Sequence, residues 1–352
     1  MIIDCFMFFN ETDILQLRIK LLYDIVDYFI IVEGDTTFQG EYKDYFYEKN
    51  EYLFDEFKDK IIYKKIKIPS IDYLNKYNSE YKDFNNPWKR EYYQRDYIHN
   101  ILNDLDCDKD DIISLSDVDE ILYPDKLKQI IDELELENEV KTDNELDNKV
   151  KTDNELDNKV KTDNELDNKN CDNIYLCHIL DIKYYLNNKN IRSFFGNVIF
   201  KYKQIDKIKY HSLFRNKFCF HRSIEDVSRT IQQNNFKKTH KIIENSGIHL
   251  SSYGGRNMST IKLYAYSHIE DNKEQIKLNN NIQIIADNLH NSKKYRDTHN
   301  MTELSNYDKY YYDIENKLDS KDYNVPDYAF EEIKNNKEKY THFFIFKNPI
   351  LD

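Results

Sequence analysis

The stretch from Asp111 to Leu122, DIISLSDVDEIL, limits what this chain can fold into more than any other. Ile112, Ile113 and Leu115 form too short an apolar run for a helix and read as a buried parallel strand, which runs straight into Ser116-Asp117-Val118-Asp119-Glu120. In open α/β sheets the ligand crevice lies outside the carboxyl ends of the strands, so carboxylates delivered there face a bound molecule rather than the core. Two aspartates flanking one residue can share a divalent cation through hard oxygen ligands, and the cation can then hold a diphosphate. The competing reading is a plain acidic loop, because Asp-x-Asp recurs at Asp104/Asp106, Asp106/Asp108 and Asp108/Asp110. Those copies follow no strand and read as a solvated helix end and turn.

The segments around this stretch alternate between strand and helix. Ile2 to Phe9 reads as a strand. Asn10-Glu11-Thr12-Asp13 reads as a helix start, followed by Ile14, Leu15, Leu17, Ile19, Leu21, Leu22 and Ile25 on helical spacing. Tyr28 to Glu33 is a second strand ending on a carboxylate, and Ile61 to Ile68 a third. Asn85-Asn86-Pro87-Trp88 opens a long helix to about Leu105, with proline in its first turn. A further helix starts at Pro124. Alternation of this kind predicts an α/β fold, Rossmann-like, with a mostly parallel sheet and helices on both faces, and puts the acidic pair on its fourth strand. Beyond, Ile174 to Leu186, Gly196 to Tyr202 and Ser246 to Tyr253 read as strands.

Lys141 to Asn170 is three tandem copies of a ten-residue unit, KTDNELDNK closed by Val150, Val160 or Asn170. One Leu and at most one Val per unit cannot offset the ordering entropy of ten residues, so the sequence predicts a disordered acidic insertion.

Charge and cysteine usage narrow the function classes. A formal charge of −13 argues against nucleic acid as the partner, since that binding draws on clustered Lys and Arg. The five cysteines show no metal-finger or redox spacing and read as free thiols. Met1 leads directly into Ile2-Ile3-Asp4 with no basic run and no apolar segment of spanning length, which predicts a cytoplasmic protein without a transmembrane segment. A phosphoryl-transfer enzyme is disfavoured because the chain holds no G-x-x-x-x-G-K-[ST] loop.

Several residues carry two readings each. Asn10 and Glu11 cap a helix or meet a nucleotide. Arg90 and Arg95 clamp phosphate or pair with Glu91 and the core carboxylates, and their i,i+5 spacing puts them on different faces of the helix. His249, in SGIHLSSY, is a satisfied core histidine or a metal ligand.

Taken in order, IIDCFMFFNETDILQLRIKLLYDIVDYFIIVEGDTTFQG, PWKREYYQRDYI, DIISLSDVDEI, SGIHLSSYGG and KLYAYSHIE resemble glycosyltransferase family 17, the family of β-1,4-mannosyl-glycoprotein 4-β-N-acetylglucosaminyltransferase. The resemblance implies a GT-A-like fold, a UDP-N-acetylglucosamine donor, a glycan acceptor, and an inverting transfer assisted by Mn²⁺ or Mg²⁺. On that basis residues 1–136 form the nucleotide-sugar half of one domain and 137–170 the insertion. Residues 171–272 form the acceptor-side half, and 273–352 a C-terminal helical extension. It implies Asp119 as direct metal ligand, His249 as a further ligand from late in the chain, and Asp117 at the ribose or a metal-bound water. An inverting transfer needs a base for the acceptor hydroxyl, with Glu33, Glu120 and Asp181 as candidates. A different class of function, a catalytically inactive glycan-binding or structural surface protein, fits the same fold.

Overall fold

The computed structural model describes residues 1–77, 83–136, 173–183, 192–208, 240–251, 325 and 327–340. Nine strands among them form one sheet. They are β1 (Ile2–Met7), β2 (Tyr28–Gly34), β3 (Ile61–Ile66), β4 (Ile112–Asp117), β5 (Glu120–Leu122), β6 (Ile174–Lys183), β7 (Arg192–Lys201), β8 (His240–Ile243) and β9 (Gly247–Ser251). The order is β3-β2-β1-β4-β7-β6-β9-β5, with β8 also paired to β6. Helices are α1 (Thr12–Leu22), α2 (Phe46–Lys49), α3 (Ile71–Tyr77), α4 (Asn86–Asp104), α5 (residues 124–136) and α6 (Glu331–Asn335).

β3, β2, β1 and β4 are parallel neighbours throughout, as strand–helix alternation predicts. Side chains alternate between two apolar layers. Ile3 and Cys5 of β1, Ile30 and Val32 of β2, and Ile113 and Leu115 of β4 pack under Ile98, Ile101 and Leu102 of α4. On the other face Phe6, Phe29, Ile31 and Ile112 meet Leu15 and Ile19 of α1 and Leu127 and Ile130 of α5. Each such side chain contributes roughly 1.5–3 kcal/mol by leaving water. The α4 start is as expected: Asn85 accepts from the Trp88 amide, and Pro87 sits in the first turn. The cap expected of Asn10 and Glu11 is not made, because α1 begins without a side-chain cap hydrogen bond. The Glu11 carboxylate turns back to accept from the Phe9 and Asn10 amides instead.

Beyond β4 the sheet is less parallel than the sequence suggests. β7 is antiparallel to both β4 and β6, and β5 is antiparallel to β9. Five of the eight strand pairings are parallel, so the sheet as a whole is mostly so. For β6 and β7 the reason is chain length: only residues 184–191 join them, fewer than the dozen or so that a parallel crossover needs.

β8 and β9 lie end to end along β6, from Ile174 opposite His240 to Asp181 opposite His249. A turn at Glu244–Ser246 separates them, with Asn245 at φ 49° and Ser246 donating to the His178 carbonyl through both its amide and its hydroxyl. Gly247 then passes so close to β5 that a Cβ there would lie 2.2 Å from the Ile121 carbonyl oxygen. Against this edge packs a short C-terminal segment. Its Ala329, Phe330, Ile333 and Tyr340 share a cluster with Ile14 and Leu17 of α1, Ile121 of β5 and Ile248 and Leu250 of β9. The repeats at 141–170 and most of 273–352 lie outside the described residues. Among the described residues no helix is long and apolar enough to cross a membrane.

Candidate active site

β4 ends at Asp117 and β5 begins at Glu120, so Val118 and Asp119 form the turn between them. Glu120 closes that turn by accepting the Asp117 amide on Oε2 at 2.9 Å. From below it is held by Arg18, a fully buried residue in the middle of the apolar stripe of α1. Arg18 grips the carboxylate of Asp4 through Nε and Nη2, both at 2.7 Å, and reaches the Ser116 hydroxyl at 2.6 Å. Its Nη1 donates to the carbonyls of Asp117 and Glu120 at 2.8 Å and of Val118 at 3.2 Å. Every N–H of the guanidinium fork is thereby used.

Above the turn the two aspartates differ. Asp117 is partly open, and its Oδ1 accepts from Arg95 Nη2, which also bonds Glu91 one turn back on α4. Asp119 is buried, with Oδ2 3.5 Å from Nε2 of His249. The other ring nitrogen of His249 lies 3.0 Å from Asp181. Burial alone would lower the pKa of this imidazole, but the Asp119 and Asp181 carboxylates raise it to about 10.

Asp117, Val118 and Asp119 form the floor of a pocket at the carboxyl ends of β1, β2 and β4. Phe8, Phe9 and Phe38 supply its apolar walls, and Gln94 and Arg95 of α4 close one side. Four carboxylates line it, from Glu11, Glu91, Asp117 and Asp119, against the two cations of Lys43 and Arg95.

Other residues singled out in the sequence lie elsewhere. Arg90 donates to the Phe38 carbonyl and packs over Gly40, whose φ of 96° needs a glycine, so it pins the pocket's outer loop. Glu33 is fully buried below the pocket. Its carboxylate accepts from Lys43, the amides of Phe46 and Tyr47, and the Tyr63 hydroxyl, all within 3.1 Å. Asn10 lies three residues beyond β1, with a buried side-chain oxygen that has no hydrogen-bond partner.

Asp119 and His249 are the side chains at this turn that could hold a divalent cation. Asp119 offers a hard oxygen, and the contact of His249 Nδ1 with Asp181 aims Nε2 at that carboxylate, as outer-shell carboxylates do for ligating histidines. No group of three or more His, Cys, Asp or Glu side chains suited to a metal occurs among the described residues. Remaining ligands would come from water and substrate oxygens, the usual habit of Mg²⁺.

Residues 1–136 match the model of glycosyltransferase family 17. The match covers under half of the chain, and it is to this family that the segment is similar. The matched part holds Asp117, Asp119, Glu120 and the pocket residues, and the match supports a glycosyltransferase. Asp181 and His249 reach the acidic turn from beyond the match. None of the curated proteins compared with the chain matches it.

Proposed function

We propose that this glycosyltransferase is metal-dependent and inverting, and that it moves N-acetylglucosamine from UDP-N-acetylglucosamine to a glycan acceptor. The observation that carries the metal dependence is the charge of the pocket, where four carboxylates face two cations. A diphosphate entering such a site meets net repulsion unless a divalent cation comes with it. The donor sugar, its nucleotide and the inversion rest on the family resemblance.

In this reading Asp119 and His249 would hold Mn²⁺ or Mg²⁺, which would supply charge neutralisation for a diphosphate leaving group. Asp117, anchored by Arg95, orients the ribose or a metal-bound water. The three phenylalanines keep water from the reacting carbon. An acceptor hydroxyl must lose its proton to a carboxylate. Glu33 is committed to four donors, so that role falls to Glu120 or Asp181.

A thermal-shift panel of nucleotide sugars with and without Mn²⁺ tests the reading, because a ligand that binds only the folded state raises apparent stability. UDP-N-acetylglucosamine is expected to respond, and only with Mn²⁺ present. A response to glycans with no consumption of any nucleotide sugar would replace this reading with that of an inactive glycan-binding protein.

A further inference from the structure

We infer that the buried Arg18–Asp4 pair is a positioning device, which presets the Asp117–Asp119 turn for the cation. The inference rests on the metal-binding reading above. Asp4 stands in the middle of β1, and Arg18 in the middle of α1, both with no exposed surface. A salt bridge so placed is weak evidence for stability, since desolvation offsets most of the attraction. What sets this pair apart is its remaining bonds. Asp4 takes two of the five N–H groups of Arg18, and the other three go to Ser116, Asp117, Val118 and Glu120. Three carbonyls of the turn thus converge on one planar cation. Phe6 stacks on its face at 4.4 Å and fixes its plane.

Drawing those carbonyls inward fixes the backbone dihedrals of the turn, and with them the directions in which the side chains of Asp117 and Asp119 leave it. No apolar side chain could do this, because it would leave the same carbonyls buried without donors. Arg18 is not among the residues that line the pocket and meets its floor only through the carbonyls of Asp117 and Val118, so its effect is exerted through the turn alone.

Two variants test it. Arg18→Lys keeps the charge opposite Asp4 but loses the fork. The double variant Asp4→Leu/Arg18→Met removes both charges, an exchange that buried pairs often tolerate. Mn²⁺ binding is read directly, by paramagnetic resonance titration, on protein whose melting transition remains cooperative. The affinity of either folded variant is expected to fall about 10- to 100-fold, the size of effect seen when outer-shell support is removed. Affinity equal to wild type in either one overturns the proposal. Amide exchange over residues 116–121 in metal-free protein supplies the second readout. Protection is expected to drop in that turn while β1 and β4 keep theirs, whereas a uniform loss of protection across the sheet means the pair serves stability only. If wild type itself binds no Mn²⁺, the metal reading fails, and the exchange measurement still decides whether Arg18 holds the turn.

Discussion

Nδ1 of His249 lies 3.0 Å from Oδ1 of Asp181, and the two residues stand directly opposite each other in the register of β9 against β6. On its other side His249 is opposite Glu120 of β5. One imidazole therefore links a carboxylate from within residues 1–136 to one from beyond residue 173.

In metal-free protein this linkage makes stability depend on pH. The folded-state pKa of His249, about 10, stands above the unfolded value, about 6.5. The proton-linked stabilisation is thus fully present below about pH 6.5 and is lost as pH rises toward 10. Urea midpoints for wild type and His249→Gln should differ most at pH 6 and converge by about pH 10. A gap that stays constant across that range would mean His249 is neutral in the folded protein.

Asp119→Asn should cut metal-dependent UDP release by about 10²–10³-fold, the usual cost of removing one electrostatic contact to developing charge. Folding should survive, since asparagine keeps the shape. Asp108→Asn is the matched control: its residue lies exposed in the acidic run before β4, and turnover should stay at the wild-type level. Equal losses in both variants would remove the special status of Asp119.

Glu33→Gln is expected to destabilise by about 3–5 kcal/mol, because it strands the buried ammonium of Lys43. Thermal or urea unfolding measures the loss. The acid limb of the rate–pH profile should persist in whatever fraction remains folded, and its disappearance would return Glu33 to the role of base.

Gly247→Ala forces a methyl against the backbone of Ile121 and should cost about 1–3 kcal/mol, as overpacking commonly does. Because Gly247 starts the strand that carries His249, Mn²⁺ affinity should fall together with the melting temperature. Unchanged stability would show that β5 and β9 can separate slightly at no cost.

How much of this was legible in the sequence varies with the element. β1, β2 and β4 advertise themselves through unbroken apolar runs, as strands buried on both faces do. The acidic pair was legible because a strand precedes it, and α4 because Asn85 and Pro87 mark its start. β5 and β8 were not, since three and four residues are too few to show a period of two. Nor was the alignment of Glu120, His249 and Asp181, which depends on register between segments far apart in the chain. Arg18 was missed although a signal existed. An arginine inside the stripe Ile14, Leu15, Leu17, Ile19 and an aspartate inside IIDCFM are two misfits of opposite charge, each on a face that has to be buried.

The packing of Phe330 and Ile333 against α1, β5 and β9 has a consequence for how the chain comes to be folded. The contact of Lys20 with Glu332 spans 312 positions, and the cluster around Ile14 and Leu17 cannot close until Tyr340 has been made. Loop closure over such a separation is slow and comes late. During synthesis, then, α1 and the β5–β9 edge wait with apolar surface uncovered, a species prone to aggregate or to need a chaperone.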